Sequence, residues 1–172
     1  MHLMIDLETL STAPNAAIMQ IGWAKFTMDQ RYPIVSGLIQ VDLQSCIDKG
    51  LRVDWGTVRW WFMQSQEARE AMVQQGVPLS DALNAFVLNV WGDADWEGVW
   101  SHGASFDIPI LESAFRACGR SAPWKHWLIR DTRTLFELAG YVMHKPVAHQ
   151  ADKDALAQAE AVRAAYLSRP QN

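Results

Sequence analysis

Three strand-forming segments crowd the first 42 residues, and the links between them are too short for anything but hairpin-like returns. Residues 2–7 (HLMIDL) form a short apolar run that reads as a buried strand. Residues 17–27 (AIMQIGWAKFT) read as a second strand and 34–42 (IVSGLIQVD) as a third. Ser11-Thr12-Ala13-Pro14-Asn15 and Met28-Asp29-Gln30-Arg31 carry turn chemistry between them. A parallel return needs a crossover of roughly a dozen residues or more. The opening of the chain is therefore expected to be an antiparallel meander.

Beyond it the pattern changes to helix. Thr57 to Met63 and Gln66 to Gln75 hold helix formers, closed by Gly76-Val77-Pro78. A helix starting at Ser80 or Asp81 places Leu83, Phe86, Val87 and Val90 on one side. Residues 97–101 read as a fourth strand, and a helix from Asp107 or Ile108 to Cys118 ends at Gly119. Residues 126–131 read as a fifth strand, followed by a helix over 132–139 and an Ala-rich helix from about Asp152 to Leu167. The order βββ-ααα-β-α-β-α-α describes an α/β protein with a mixed sheet. With 172 residues, no repeat and no low-complexity linker, residues 1–172 are expected to form one domain.

Composition narrows the setting. An apolar fraction of 49% against 20% charged residues excludes global disorder. Cys46 and Cys118 have neither disulfide-framework nor metal-site spacing, and the N-terminus lacks a signal-peptide pattern. No apolar run approaches the ~18 residues of a membrane span. These features predict a cytoplasmic protein without a membrane partner. A net charge of −4 by itself opposes polyanion binding. The charge is uneven, however: residues 116–153 hold seven Lys/Arg against three acids. Nine Trp residues supply aromatic surface for a core, an interface or base stacking. Together with the helices over 55–91, they are compatible with a homodimer.

Three clusters carry the chemistry. Asp6-Leu7-Glu8 ends the first strand, and a period of two puts both acids on one side. A hard divalent cation would relieve their repulsion, but a solvated strand end has the same sequence. Phe106-Asp107 follows a strand and opens a helix, where an N-cap or first-turn acid is the ordinary alternative for Asp107. His149 stands on a loop before the last helix, and Asp154 lies within that helix's first turn or so. A surface histidine and a helix-dipole acid account for these two equally well in isolation.

In this order and context the three clusters resemble the signature boxes of the DEDDh exonucleases, the DnaQ-like and RNase T-like superfamily. Asp6-Leu7-Glu8 is similar to the Asp-x-Glu box and Phe106-Asp107 to the second box. His149-x-Ala151-x-x-Asp154-Ala155 is similar to the third. The stretch Val58-Arg59-Trp60-Trp61-Phe62-Met63-Gln64-Ser65 also resembles the small phage and actinobacterial exoribonuclease branch, near exonuclease-VIII-like proteins. Gly103 stands where many relatives have Asn.

The resemblance implies a ribonuclease H-like three-layer α/β fold with a mixed five-stranded sheet flanked by helices. It implies a metal-dependent 3′–5′ exonuclease acting on RNA or DNA and releasing 5′-mononucleotides. Two divalent cations, Mg²⁺ or Mn²⁺, would sit about 3.5–4 Å apart. Asp6 would bridge both, Glu8 and Asp154 would complete the nucleophile-side ion, and Asp107 would serve the leaving-group side. His149 would be the general base, a task suited to an imidazole near neutral pH. Thr9 and Leu10 fall where the superfamily grips the terminal nucleotide, and Phe106 lies beside the metal site. Trp60 and Trp61 point about 100° apart on a helix, and Trp61 is favoured for stacking on the substrate, with core packing as the alternative. The expected partner is nucleic acid with a free 3′ end, single-stranded or with a 3′ overhang. An endonuclease on the same metal site, an oligoribonuclease-type enzyme, or a non-catalytic nucleic-acid-binding domain are the other readings.

Some polar residues are expected to be structural. Asp131 reads as a helix N-cap and Asp152 as the cap of the last helix. Arg130 and Arg133 read as solvated charge before phosphate ligands. His2, His102, His126 and His144 read as surface or loop residues, and the C-terminal alanines as a close-packing helix face.

Overall fold

The computed structural model describes residues 1–143 and 149–168. His144 and Lys145, weighed above as a loop histidine and as part of the basic segment, lie outside the described residues. One five-stranded sheet organises the chain, in the order β3-β2-β1-β4-β5. β1 (His2–Thr9) pairs antiparallel with β2 (Ile18–Phe26), which pairs antiparallel with β3 (Val35–Gln40). On its other side β1 runs parallel to β4 (Gly98–Ser101), and β4 parallel to β5 (Ile129–Asp131). The short turns thus produce the meander, and the helix-bearing connections produce the parallel pairs.

Alternation along β1 decides what each face of the sheet does. Leu3, Ile5 and Leu7 enter a large apolar cluster with Ile21, Val99, Leu83, Phe86, Leu111, Phe115 and Trp124. That face is covered by α1 (Leu43–Asp48), α4 (Leu79–Ala85), and α5 (Asp107–Ala117). Met4 turns to the opposite cluster with Ala24, Phe26, Trp100, Leu135, Phe136, Ala155, Ala159 and Val162. There α6 (Thr132–Ala139) and α7 (Ala151–Ser168) cover the sheet. Asp6 and Glu8 share the side of Met4, so the period of two aims them at α7.

Helix α7 lies unusually close to the sheet. A Cβ at Gly22, the β2 partner of Asp6, would stand 2.0 Å from the Ala151 carbonyl oxygen. Only a glycine under an alanine-rich helix face allows this approach, as the sequence of that face predicts.

Several boundaries differ from the sequence reading: the first strand runs on to Thr9, and the two middle helices cover Trp55–Phe62 and Gln66–Met72. The third strand stops at Gln40, because Asp42 caps α1 by accepting the Gln44 and Ser45 N–H groups at 3.3 and 3.2 Å. Helix α1 is absent from the sequence reading; at six residues it has too few turns to show a period. Residues 126–128 form a 3₁₀ turn, leaving only Ile129–Asp131 as strand. Helix α4 begins at Leu79 rather than Ser80 or Asp81, and continues as a π-type segment over Phe86–Trp91. Helices α2 (Trp55–Phe62) and α3 (Gln66–Met72) form a separate flap against β1, with Leu10, Met19, Trp61 and Ala68 at its centre. No helix among the described residues is long and apolar enough to cross a membrane.

Candidate active site

Acids from two distant parts of the chain converge at the C-terminal end of β1. One carboxylate oxygen from each of Asp6, Glu8 and Asp154 lies within 4.8 Å of the others. Asp154 is buried, while Asp6 and Glu8 are partly exposed. Two like charges at that separation repel by on the order of 3 kcal/mol at an effective dielectric of 20. Three carboxylates held this close could together hold a hard cation.

Asp107, the first residue of α5, is the fourth acid. It is buried, and its Oδ1 accepts the Leu7 backbone N–H at 3.1 Å. Burial pushes its pKa well above the carboxylate range, and the negative charge of Asp6 pushes it further. Asp107 therefore sits against the Asp6 side of the cluster without belonging to the tight group of three.

Two glutamines hold this arrangement, and the sequence reading passed over both. The Ala151 N–H, one of the unpaired donors at the start of α7, donates to Gln20 Oε1 at 3.2 Å. Gln20 in turn donates to Gln40 Oε1 at 3.0 Å, so the helix start is tied to β2 and β3. One turn after Asp154, Gln158 is fully buried and donates from Nε2 to Asp6 Oδ1 at 2.6 Å. The i, i+4 spacing of Asp154 and Gln158 was the available signal.

His149 precedes α7 with a left-handed φ of 43°, uncommon for a residue with a side chain. Its ring meets Trp60 edge-on at 5.0 Å and Trp61 at 6.0 Å. It also lines a tight crevice that Glu8 and Gln20 share. The imidazole thus shares a crevice with Glu8 and is braced by aromatic rings.

A cleft of about 410 Å³ opens next to the cluster, lined among others by Glu8, Thr9, Trp60, Trp61 and Phe106. Thr9 is itself buried and donates its hydroxyl to Ser11 O at 2.7 Å. Two expectations about the cleft are corrected. Trp61 is only 2% exposed and donates its indole N–H to Thr9 O at 2.9 Å, so it is a wall of the cleft without a free face for stacking. Trp60, 45% exposed, is the ring that faces solvent. Leu10 is buried against Met19 and Trp61 and is no wedge into the cleft. The two positions flank the strand-to-flap junction, where tertiary contact decides which apolar side chain turns inward.

Asp131 caps α6 as expected, accepting from Arg133 and Thr134 N–H at 2.8 and 3.2 Å, and also from Ala104 N–H at 2.6 Å. Arg130 folds back on the Trp127 and Ile129 carbonyls, and Arg133 is exposed beside Gly103. Asp152 lies inside α7, which starts at Ala151, and is not its cap. His2 is not a surface residue: it is buried in β1, pairs with the Trp100 indole N–H at 3.3 Å, and burial lowers its pKa. His102 is partly buried and within 2.8 Å of the Thr132 hydroxyl.

Among the proteins this chain resembles are nucleases. The exodeoxyribonuclease of Enterobacteria phage T4 is 27% identical over 208 aligned positions, covering 93% of this chain and 88% of that protein. The zinc-bound E. coli exonuclease I–single-stranded DNA complex superposes with a TM-score of 0.65 at 14% identity over 99% of this chain. E. coli exonuclease I with a dT13 oligonucleotide gives a TM-score of 0.55, also at 14% identity, over 95% of this chain. At that identity the likeness speaks for the fold, which is ribonuclease H-like, and this chain spans only about two-fifths of exonuclease I. The family described as the 3′–5′ exoribonuclease Rv2179c-like domain matches residues 1–166. A mixed sheet, acids gathered at the end of its central strand and a match over nearly the whole length agree with one another: the chain belongs to this family of DnaQ-like 3′–5′ exonucleases.

Proposed function

We propose that the chain removes 5′-mononucleotides one at a time from the 3′ end of a single-stranded nucleic acid, or of a 3′ overhang, in the cytoplasm. The observation that carries this reading is the convergence of Asp6, Glu8 and Asp154 at the mouth of a cleft with an exposed tryptophan. The donor set is all carboxylate, which fits two Mg²⁺ or Mn²⁺ ions and not a soft metal. Asp6, Glu8, Asp107 and Asp154 would hold these ions. When bound, they supply Lewis-acid activation of water and stabilisation of charge on the phosphoryl oxygens.

The chain's own residues do the rest. His149 takes the proton from the attacking water, and the rings of Trp60 and Trp61 hold its imidazole in place. Trp60 offers its exposed face to a base near the terminal nucleotide, while Phe106 packs on the sugar. Thr9, fixed by its own hydroxyl contact and by Trp61, presents backbone at the cleft floor. Single strands suit the cleft because a paired end would have to open before its terminal phosphate reached the acids.

The test is a 5′-labelled oligonucleotide, as RNA and DNA, single- and double-stranded, in Mg²⁺ and in Mn²⁺. A one-nucleotide ladder shrinking from the 3′ end and abolished by EDTA supports the proposal. Internal cuts would identify an endonuclease, and binding without cleavage a non-catalytic domain. His149→Ala should lower turnover by about 10²–10⁴-fold with Mn²⁺ affinity near wild type. A matching loss of metal affinity would make His149 a ligand instead.

A further inference from the structure

Gln158 is a fully buried amide whose two ends are treated differently. Nε2 lies 2.6 Å from Asp6 Oδ1, while Oε1 is buried and, among the described residues, has no hydrogen-bond partner. The opposite flip would set a carbonyl oxygen against a carboxylate oxygen, so the chemistry fixes the donor end toward Asp6. Leaving an acceptor unpaired in a buried place destabilises the fold. A buried leucine at this position would avoid that cost, and the Ala-rich face around it (Ala155, Ala159, Val162) would accept one. The amide is therefore poorly explained by packing alone.

We infer that Gln158 is a positioning residue for the metal site: its amide donates to Asp6 Oδ1 and so holds the plane of that carboxylate where it meets Glu8 and Asp154. The inference rests on the proposed metal-dependent reading of the acids. A neutral donor is the side chain this task calls for. A lysine at 158 would also reach Asp6, but its ammonium would pair with the carboxylate and compete with the cation. An amide orients the oxygen and leaves the charge of the cluster intact. Asp154 and Gln158 stand one turn apart on α7, so the helix delivers a ligand and the group that orients a second ligand as one rigid unit.

The test is Mn²⁺ titration calorimetry on the whole chain, beside steady-state kinetics on a single-stranded oligonucleotide. Gln158→Met keeps the length and helix propensity and removes the donor. Its Mn²⁺ dissociation constant should rise about 10–100-fold. KM for the oligonucleotide at saturating Mn²⁺ should stay near wild type, and the metal-free melting temperature should stay within a few degrees. Gln158→Asn, which keeps the polarity and withdraws the donor, should show the same weakened binding and covers the case in which the Met variant fails to fold. Wild-type Mn²⁺ affinity in either folded variant would overturn the inference. If wild type itself neither binds Mn²⁺ nor trims the oligonucleotide, the proposed function fails first; if it does both while the variants bind equally well, only the role of Gln158 fails.

Discussion

The two faces of the sheet are packed by opposite means. On one, bulk fills space: Phe86, Phe115 and Trp124 meet edge-on at centroid distances of 6.0 to 6.4 Å, beside the stacked pair Trp91 and Trp96. On the other, smallness does: Ala151, Ala155 and Ala159 press against β1 and β2 over Gly22. The first arrangement buries the most apolar area and supplies stability. The second buries less but brings Asp154 to Asp6 and Glu8 and sets Gln158 on Asp6. The protein thus separates the face that holds it together from the face on which acids are forced into contact.

That contrast can be broken from either side. The largest effect is expected for Asp154→Asn, which should lower exonuclease turnover by more than about 100-fold, the upper range for groups that only orient a ligand. The same change relieves repulsion, so the metal-free melting temperature should rise, by about 2–4 °C for each kcal/mol recovered. A fall instead would mean that the carboxylate has a structural partner that outweighs the repulsion. Phe115→Ala on the opposite face should do the reverse, costing about 3–5 kcal/mol of stability in urea titration. Turnover of the folded fraction should be unchanged.

Within the flap the adjacent tryptophans should separate cleanly. Trp60→Ala should raise KM for single-stranded substrate, with about 1–3 kcal/mol of stacking lost and melting temperature little changed. Trp61→Ala should appear chiefly as lost stability.

The smallest effect concerns Asp107. Its folded pKa is raised, so between the ordinary value near 3.9 and the raised one the folded state binds more protons than the unfolded chain. Metal-free stability should therefore fall as pH increases through that window. Asp107→Asn should flatten this part of the pH–stability curve in EDTA, as read by thermal melts from pH 5 to 8. An unchanged slope would place the dependence elsewhere.

Much of this was legible from the chain. Alternation in HLMIDL put Asp6 and Glu8 on one side before any partner was known, and the turn lengths fixed the sense of the first three strands. The three boxes pointed to Asp107, His149 and Asp154 by resemblance, and the structure gathers them around β1. Trp61 and Leu10 were misjudged because a helical wheel says how far apart two side chains point and not which one meets a neighbour. His2 was misjudged for a related reason: its burial depends on Trp100, which lies 98 residues away.

What the amino-acid order determined by itself is local: which segments alternate, where turns must fall, and which carboxylates share a side of a strand. Those follow from a period of two or 3.6 residues and the stereochemistry of Gly and Pro. What only the folded molecule decided is the distance between parts far apart in sequence. Gly22 admits α7 to within contact of β2, and that approach sets the separation of Asp154 from Asp6 and the seating of Gln158. The physical reason is that close packing fixes helix–sheet distance through side-chain volume on both partners, and no periodicity of one segment contains the volume of the other.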